Sequence, residues 1–142
     1  MPSEYTLAII KPDAMSRRLG GKIIAHLEEA GFRVSATRVL HLTADEAGAF
    51  YAVHRERPFY TSLVAFMTSG PCMPLILTRA DAVTTLRRVI GATDPAEAEP
   101  GTVRKLFAES KERNAIHASD SDDNAAREAR FFFSEIELLR AQ

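Results

Sequence analysis

The chain has 142 residues, of which 46% are hydrophobic and 26% charged, and its formal net charge is −1 at pH 7. These values predict one domain, residues 1–142, that buries a core unaided, and they give no reason to expect nucleic acid or an acidic membrane as a partner. Cys72 is the single cysteine, so no internal disulfide is predicted. No targeting segment is visible, and no apolar stretch approaches the roughly 18 residues of a membrane helix, so we expect a cytoplasmic protein.

The first predicted element is a strand. Residues 5–10 (YTLAII) form a nearly continuous apolar run rich in strand formers, which is typical of a strand covered on both faces. Pro12 lacks a backbone donor and steers Lys11 away from helical geometry, so the strand ends with a lysine at its tip. A lone lysine in such a place is usually a solvated surface residue.

Two helices and a strand follow in the first half of the chain. Residues 22–30 predict a helix with one apolar side, which Gly31 ends. Residues 32–42 predict an imperfect strand whose alternation shifts phase once. Thr43 and Glu46 have the spacing of a capping box, which predicts the start of the next helix.

The middle of the chain predicts two more helices and a third strand. Pro58 is placed to open a helix over residues 59–67, and residues 80–90 carry an apolar helical face. Residues 72–77 predict a buried strand. Because proline removes a ladder hydrogen bond, Pro74 predicts a bend or a sheet edge there.

Residues 92–113 form a long connection with several turn signals and one predicted helical turn near residues 102–107. A connection of this length inside a compact domain is usually functional or mobile. It supplies donors suited to phosphate oxygens, namely Thr93, Arg104, Lys105 and Lys111.

The stretch that organises the chain is residues 114–120 (NAIHASD), which predicts a short buried strand with His117 at its end. Ser121 then caps a helix up to Phe132, followed by a short tail. Glu128 lies in the inward stripe of that helix, and a buried carboxylate needs a partner such as His117. By spacing alone, a satisfied structural histidine and a nucleophilic histidine held by a carboxylate both remain open.

The predicted order is β-α-β-α-α-β-α-loop-β-α, which indicates an α+β fold. Its four strands suit a ferredoxin-like β-α-β-β-α-β sandwich, with a four-stranded antiparallel sheet, helices on one face and added helices. The other face of the sheet then needs cover, and self-association is one way to provide it.

Five motifs resemble the nucleoside diphosphate kinase family from Tyr5 to about Phe133: TLAIIKPDA, FYAVHRERPFY, LVAFMTSGP, GATDPAEAEPGTVR and NAIHASDS. Their order and spacing within one domain are highly specific. The resemblance implies transfer of the γ-phosphate of a nucleoside triphosphate to a nucleoside diphosphate. It further implies a ping-pong mechanism through a phosphohistidine, broad base tolerance, Mg²⁺ as cofactor, and assembly as a dimer, tetramer or hexamer.

The resemblance also implies roles for individual residues. His117 is the residue that takes the phosphate. Glu128 is the carboxylate that orients the His117 ring, with Ser119 alongside. Asp120 lies where the family approaches the magnesium ion bound to the phosphates. Lys11 contacts the travelling phosphate and the ribose, with Tyr51 beside it. The remaining nucleotide contacts implied are Arg87, Thr93 and Arg104 on the phosphates, Asn114 on the ribose, and Phe59 with Leu63 at the base.

The chain departs from the usual family pattern at several positions. Ala118 stands where glycine is usual, and an alanine would strain a backbone position that requires positive φ. Lys105 and Leu106 replace a small and an acidic residue, and residues 77–79 depart from the usual strand end. Lys111 replaces an aliphatic residue that helps to sandwich the base. No departure removes a residue with an implied catalytic role.

Two alternatives remain open at this point. Phe59 also suits a core residue at the start of a helix. For the whole chain, the alternative to an enzyme is a ferredoxin-like module that binds nucleotide or nucleic acid without turnover. The presence of His117, Lys11 and Glu128 together favours the enzyme.

Overall fold

The computed structural model describes residues 4–141 and contains one four-stranded antiparallel sheet. The strands are β1 (Tyr5–Ile10), β2 (Arg33–Thr37), β3 (Met73–Thr78) and β4 (Ile116–Ala118). Their spatial order is β2-β3-β1-β4, with every neighbouring pair antiparallel. This is the predicted ferredoxin-like arrangement.

Helices connect the strands and flank the sheet. They are α1 (Pro12–Ser16), α2 (Gly20–Glu29), α3 (Ala44–Phe50), α4 (Tyr60–Met67), α5 (Ala82–Ile90), α6 (Val103–Phe107), α7 (Asp122–Phe132) and α8 (Glu135–Ala141), with 3₁₀ turns at Ala52–His54 and Pro95–Glu97. Among residues 4–141, no helix has both the length and the hydrophobicity needed to cross a membrane.

Both faces of the sheet are covered within one chain. Along β1, Ala8 and Ile10 pack into a core that includes residues of α1, α2, α5 and α6, while Leu7 and Ile9 pack into a second core with residues of α3, α4, α7 and α8. The predicted added helices therefore cover the second face, and self-association is not needed to cover it.

Several local predictions are confirmed. The side chains of Thr43 and Glu46 form the reciprocal capping box at the start of α3. The phase shift predicted in the second strand is a register irregularity between Val34 and Ala36. That strand is shorter than predicted, because beyond Thr37 it continues only as one isolated bridge between Leu40 and Cys72.

The prediction of a sheet edge at Pro74 is wrong, because β3 lies between β2 and β1. Pro74 pairs with Ile9 of β1, and its carbonyl faces the end of β2, where it accepts hydrogen bonds from Thr37 Oγ1 (2.9 Å) and Arg38 N (3.4 Å). The nitrogen of Pro74 lies on the same side as its carbonyl, beyond the last paired residue of β2. An interior strand therefore accommodates the proline without losing a regular ladder hydrogen bond.

Two helices were missed by the sequence analysis. Helix α1 begins at Pro12, since proline is well accommodated in the first turn of a helix. The predicted tail is helix α8, which buries Leu138 and Ala141. Its start carries reciprocal hydrogen bonds between Ser134 and Glu137 at 3.1 and 3.2 Å, a capping-box spacing that was available in the sequence.

Candidate active site

A cavity of about 410 Å³ opens between the ends of β1 and β4, helix α7 and the 92–113 connection. Eleven of the predicted site residues line it: Lys11, Tyr51, Phe59, Leu63, Arg87, Thr93, Arg104, Asn114, His117, Asp120 and Glu128. We call it the main cavity. Ser119, the remaining predicted site residue, is buried and bonded to Glu128.

His117 and Glu128 are joined directly. Strand β4 presents His117 next to Ile9 of β1, and the inward stripe of α7 brings Glu128 against it. The distance from His117 Nε2 to Glu128 Oε1 is 2.7 Å, and Ser119 Oγ donates to the same oxygen at 2.8 Å. An ionised carboxylate only accepts hydrogen bonds, so Nε2 carries the proton and Nδ1 keeps its lone pair.

Glu128 is kept ionised by its contacts. Burial is the largest influence on its pKa and acts to raise it. Hydrogen bonds from His117 and Ser119, together with electrostatic interactions with His117 and Arg127, outweigh burial and lower the pKa of Glu128 below its ordinary value. The carboxylate is therefore a fixed acceptor for the imidazole.

Aromatic rings restrict the imidazole on its other sides. Phe50 meets the ring of His117 edge-on at a centroid distance of 5.5 Å, and Tyr51 does so at 6.2 Å. The Tyr51 hydroxyl is buried and has no hydrogen-bond partner within the described chain. Burial, with the negative charge of Glu128, raises the pKa of Tyr51, so this hydroxyl stays protonated and available as a donor.

Lys11 is only 7% exposed although it lies at the tip of β1. Its Nζ donates to Asn114 Oδ1 at 2.9 Å and to the Glu112 carbonyl at 3.4 Å. Burial, and then the positive charge of Arg104, lower the pKa of Lys11 to about 8. The alternative of a solvated surface lysine is therefore wrong.

Arginine side chains surround the same space. Arg104 bonds the carbonyls of Gly91 (3.1 Å) and Ile116 (2.7 Å), while its buried Nε has no partner among residues 4–141. Burial and the charge of Arg87 lower the pKa of Arg104 to about 10. Arg87 Nη1 donates to the Ala118 carbonyl at 3.1 Å. A polyanion entering the cavity would relieve the mutual repulsion of these cations.

The long 92–113 connection closes one wall of the main cavity. Asn114, which directly follows it, donates from Nδ2 to the Thr93 carbonyl at 3.2 Å while its Oδ1 holds Lys11. The predicted turn near 102–107 is helix α6, and Thr102 caps it. The connection is thus tied to β1 through side chains and supplies Thr93 and Arg104.

A second cavity of about 430 Å³ adjoins the main one and shares five of its lining residues. We call it the outer cavity; its lining is Lys11, Phe59, Leu63, Thr93, Lys111, Glu112 and Asn114. Phe59 is 46% exposed at its mouth, which excludes the alternative of a core residue. Glu112 accepts a hydrogen bond from Ser62 at 2.9 Å, which ties the connection to α4.

Asp120 lies at the rim of the main cavity and accepts a 2.6 Å hydrogen bond from Asn124 Nδ2. That bond is the main reason that the pKa of Asp120 is lowered, so the group is an anion at neutral pH. In the part of the chain that the structure describes, no three His, Cys, Asp or Glu residues form a group able to hold a metal ion.

Some residues of the site were not anticipated. Phe50, Val53, His54, Asn124 and Arg127 also line the main cavity. Spacing around α7 offered a signal for both polar residues. Asn124 lies four residues after Asp120 and four before Glu128, and Arg127 lies four residues after Asp123. His54 lines the cavity between Tyr51 and Phe59, with its ring centroid 6.5 and 5.4 Å from theirs.

Two other expectations are wrong. Lys105 is exposed and lines neither of the two cavities, and its Nζ donates to the Pro95 carbonyl at 3.5 Å. The strain expected at Ala118 is absent because this residue lies in β4, and its φ is not positive. A positive φ of 74° occurs instead at Ala115.

An imidazole held by a buried carboxylate, in a cavity that lysine and arginine side chains also line, is the arrangement of a phosphotransferase site on a ferredoxin-like sheet. The comparisons agree with this class. The family model for nucleoside diphosphate kinase matches residues 4–138. The chain is 60% identical over 138 residues to a nucleoside diphosphate kinase of Chlorobium chlorochromatii, covering 97% of this chain and 99% of that protein.

Similar proteins include a nucleoside diphosphate kinase of Acidiphilium cryptum, 52% identical over 98% of this chain and 99% of that protein. The crystal structure of the Aquifex aeolicus nucleoside diphosphate kinase superposes with a TM-score of 0.92 at 45% identity, covering 94% of this chain and 97% of that one. The chain belongs to the nucleoside diphosphate kinase family. It is an enzyme that exchanges phosphate between nucleoside tri- and diphosphates by a ping-pong reaction through a phosphohistidine, and the non-catalytic alternative is set aside.

Proposed function

We propose that His117 is the phosphorylated residue and that its Nδ1 is the nucleophile. The observation that carries this proposal is the 2.7 Å contact between Nε2 and Glu128, which leaves Nδ1 as the nitrogen with a lone pair. In the first half-reaction, Nδ1 forms a bond to the γ-phosphorus while the bond to the β,γ-bridging oxygen breaks, and the diphosphate leaves with that electron pair. In the second half-reaction, a terminal oxygen of a new diphosphate attacks the phosphorus. The bond between phosphorus and Nδ1 breaks, and its electron pair returns to Nδ1.

The groups around Nδ1 suit positioning and charge stabilisation, which are the main demands of phosphoryl transfer. We assign Glu128 and Ser119 to orienting the imidazole and stabilising it as positive charge develops. Lys11 and Tyr51 are assigned to the transferred phosphate as donors, and Arg87, Thr93 and Arg104 to the other phosphates. The partnerless Nε of Arg104 and hydroxyl of Tyr51 support these assignments, because a nucleotide would supply their missing acceptors.

We assign the outer cavity to the ribose and base. Asn114 and Lys11 lie where the two cavities meet, which suits them to the ribose. Phe59 and Leu63 offer an apolar surface for stacking, and stacking is tolerant of base identity because every base has a π-face. This supports broad base tolerance.

A kinase that uses nucleotides generally needs a divalent cation, and we propose Mg²⁺. Asp120 is a single ionised carboxylate at the cavity rim, so it fits an ion held mainly by the nucleotide phosphates, with the carboxylate acting indirectly. When bound, the ion neutralises negative charge on those phosphates.

Assembly and location remain proposals as well. Exposed apolar side chains at Val39, Ile136 and Leu139 support self-association into a dimer, tetramer or hexamer. Light scattering on the purified chain would measure this directly. We propose a cytoplasmic location, with residues 1–142 as one domain; nucleic acid and membranes are not expected partners.

Incubation with γ-labelled ATP tests the proposal. We expect the chain to become labelled, the label to be acid-labile and alkali-stable, and GDP to discharge it as labelled GTP. His117→Gln should take no label, since an amide cannot act as the nucleophile. His26→Gln on α2 is the matched control and should label normally. Label that persists in His117→Gln would overturn the assignment of the nucleophile.

A further inference from the structure

The backbone just before His117 holds an uncommon turn. Ala115 has φ of 74°, and the N–H of Ile116 donates to the carbonyl of Asn114 at 2.9 Å. This i to i+2 bond around a residue of positive φ is a γ-turn of the rare, strained kind. A residue with a Cβ persists in such a conformation only when its surroundings over-determine it.

The turn connects three parts of the site. Asn114 precedes it and holds Lys11 Nζ at 2.9 Å. Ile116 follows it, and its carbonyl accepts a 2.7 Å bond from Arg104. His117 is the next residue in β4. A change in the turn would therefore move the nucleophile and two of its neighbouring cations together.

Two contacts from the 11–13 segment hold the strained residue. The backbone N–H of Lys11 donates to the Ala115 carbonyl at 2.9 Å. The N–H of Ala115 donates to Asp13 Oδ2 at 3.1 Å. Asp13 is 2% exposed on α1, and its other carboxyl oxygen, Oδ1, is buried with no partner in the described residues. Burial raises the pKa of Asp13 and outweighs the amides of Asp13 and Ala14, which also favour the ionised carboxyl group. A buried acid with one oxygen left without a partner is a costly residue to retain for packing alone.

We propose that Asp13 is a positioning residue of the phosphotransfer reaction, acting by clamping Ala115 in its strained turn so that Asn114, Lys11 and His117 keep their relative places. Asp13 touches none of the reacting atoms. It acts through its acceptor oxygen on the Ala115 amide, and the inference rests on the proposed roles of His117, Lys11 and Asn114.

The competing explanation is charge. Asp13 lies near Lys11, and each group affects the pKa of the other. Burial is the largest influence on the pKa of Asp13 and raises it, while the charge of Lys11 acts to lower it. The charge of Asp13 acts to raise the pKa of Lys11. If the negative charge of Asp13 were what the reaction needs, an uncharged side chain of the same shape would slow phosphate transfer. If the hydrogen bond to the Ala115 amide is what the reaction needs, an acceptor of the same length suffices and the negative charge does not matter.

The experiment compares variants by the single-turnover rate of His117 labelling from γ-labelled ATP, in samples whose far-UV circular dichroism matches the parent. Asp13→Ala should slow labelling by roughly 10- to 100-fold, the scale expected for misplaced reacting groups. Asp13→Asn keeps an oxygen at the same reach and should stay within about threefold of the parent. Asp45→Ala, an exposed aspartate of α3, is the matched control and should not change the rate.

Relief of the backbone strain gives an independent arm. Glycine adopts positive φ without penalty, so Ala115→Gly should tolerate loss of the clamp. In that background Asp13→Ala should cost only about threefold. Hydrogen exchange at the residue 115 amide should be fast in Asp13→Ala and slow in Asp13→Asn, which a general loss of stability would not produce.

The outcomes separate the two hypotheses. If the parent chain takes no label at His117, the proposed function fails. If the parent labels normally but Asp13→Ala labels equally fast, or Asp13→Asn is as slow as Asp13→Ala, the positioning role fails alone. Should Asp13→Ala not fold, Asp13→Ser replaces it, since the hydroxyl is one bond too short to reach the amide; an unimpaired serine variant would equally overturn the proposal.

Discussion

The two cavities are built differently although they share a wall. In the main cavity the imidazole is held at 2.7 Å by a buried carboxylate that is itself bonded to Ser119. At the mouth of the outer cavity Phe59 is 46% exposed, and Lys111 is exposed as well. The end assigned to chemistry is thus preorganised, whereas the end assigned to the base is loose. This difference suits an enzyme that must align one phosphate closely while accepting many bases.

The largest effect should come from breaking the preorganised end. Glu128→Gln keeps the shape but removes the charge that fixes the tautomer and stabilises positive imidazole. We expect kcat to fall roughly 100-fold with little change in KM, on the scale of acid–base and orienting groups. Steady-state kinetics with ATP and GDP measure this. Arg127→Gln, which removes only the weaker 3.4 Å contact to Glu128, should have a much smaller effect.

Loss of the charge on Lys11 should come next. Its pKa is lowered to about 8 from 10.5, so the lysine is protonated below pH 8 and becomes neutral as the pH rises through that value. Since kcat/KM reports groups of the free enzyme, it should fall above about pH 8. Lys11→Met should lower kcat/KM about tenfold at pH 7 and abolish the fall in kcat/KM above pH 8. If the fall persists in Lys11→Met, another group is responsible for it.

The same shift has a consequence for stability. Because the folded state disfavours the charged lysine, the unfolded chain binds more protons between pH 8 and 10.5. The destabilising contribution of buried Lys11 is therefore complete below pH 8 and is relieved as the pH rises through that window. Denaturant titrations of the parent and Lys11→Met at pH 7 and 9.5 should show the stability difference between them shrinking.

A smaller effect is expected at the loose end. Phe59→Ala removes the stacking surface, and KM should rise roughly tenfold while kcat changes little. Purine and pyrimidine diphosphates should be affected alike. A loss confined to one base would show that the outer cavity reads hydrogen bonds rather than stacking, and would remove the contrast between the two ends.

The smallest effect tests the departure at Lys111. Lys111→Val places an aliphatic side chain opposite Phe59 at the outer cavity, and we expect KM to fall about twofold, within the range of surface substitutions. Lys105→Val, on the exposed side of α6, is the matched control and should leave KM unchanged. An increase in KM for Lys111→Val would instead assign the ammonium group to the nucleotide.

Local signals explain the parts of the molecule that were predictable from sequence. The strand at residues 5–10, the Thr43–Glu46 capping box and the pairing of His117 with Glu128 each depend on residues close together in the chain. Helix α8 was missed although Ser134 and Glu137 offered a comparable signal. It was missed because the helix after that signal has seven residues and buries only Leu138 and Ala141, so its apolar stripe is weak.

Tertiary structure decided the rest. Asp13 meets Ala115 across 102 positions, and Lys11 meets Asn114 across 103. Sequence determined which groups were available for phosphate transfer, since composition and spacing specify chemistry. Only the fold decided that β1 and β4 would adjoin, that Lys11 would be buried and lose basicity, and that the strain would fall on Ala115 rather than Ala118. Those properties depend on contacts between distant segments, and the pattern of residues within a segment does not encode them.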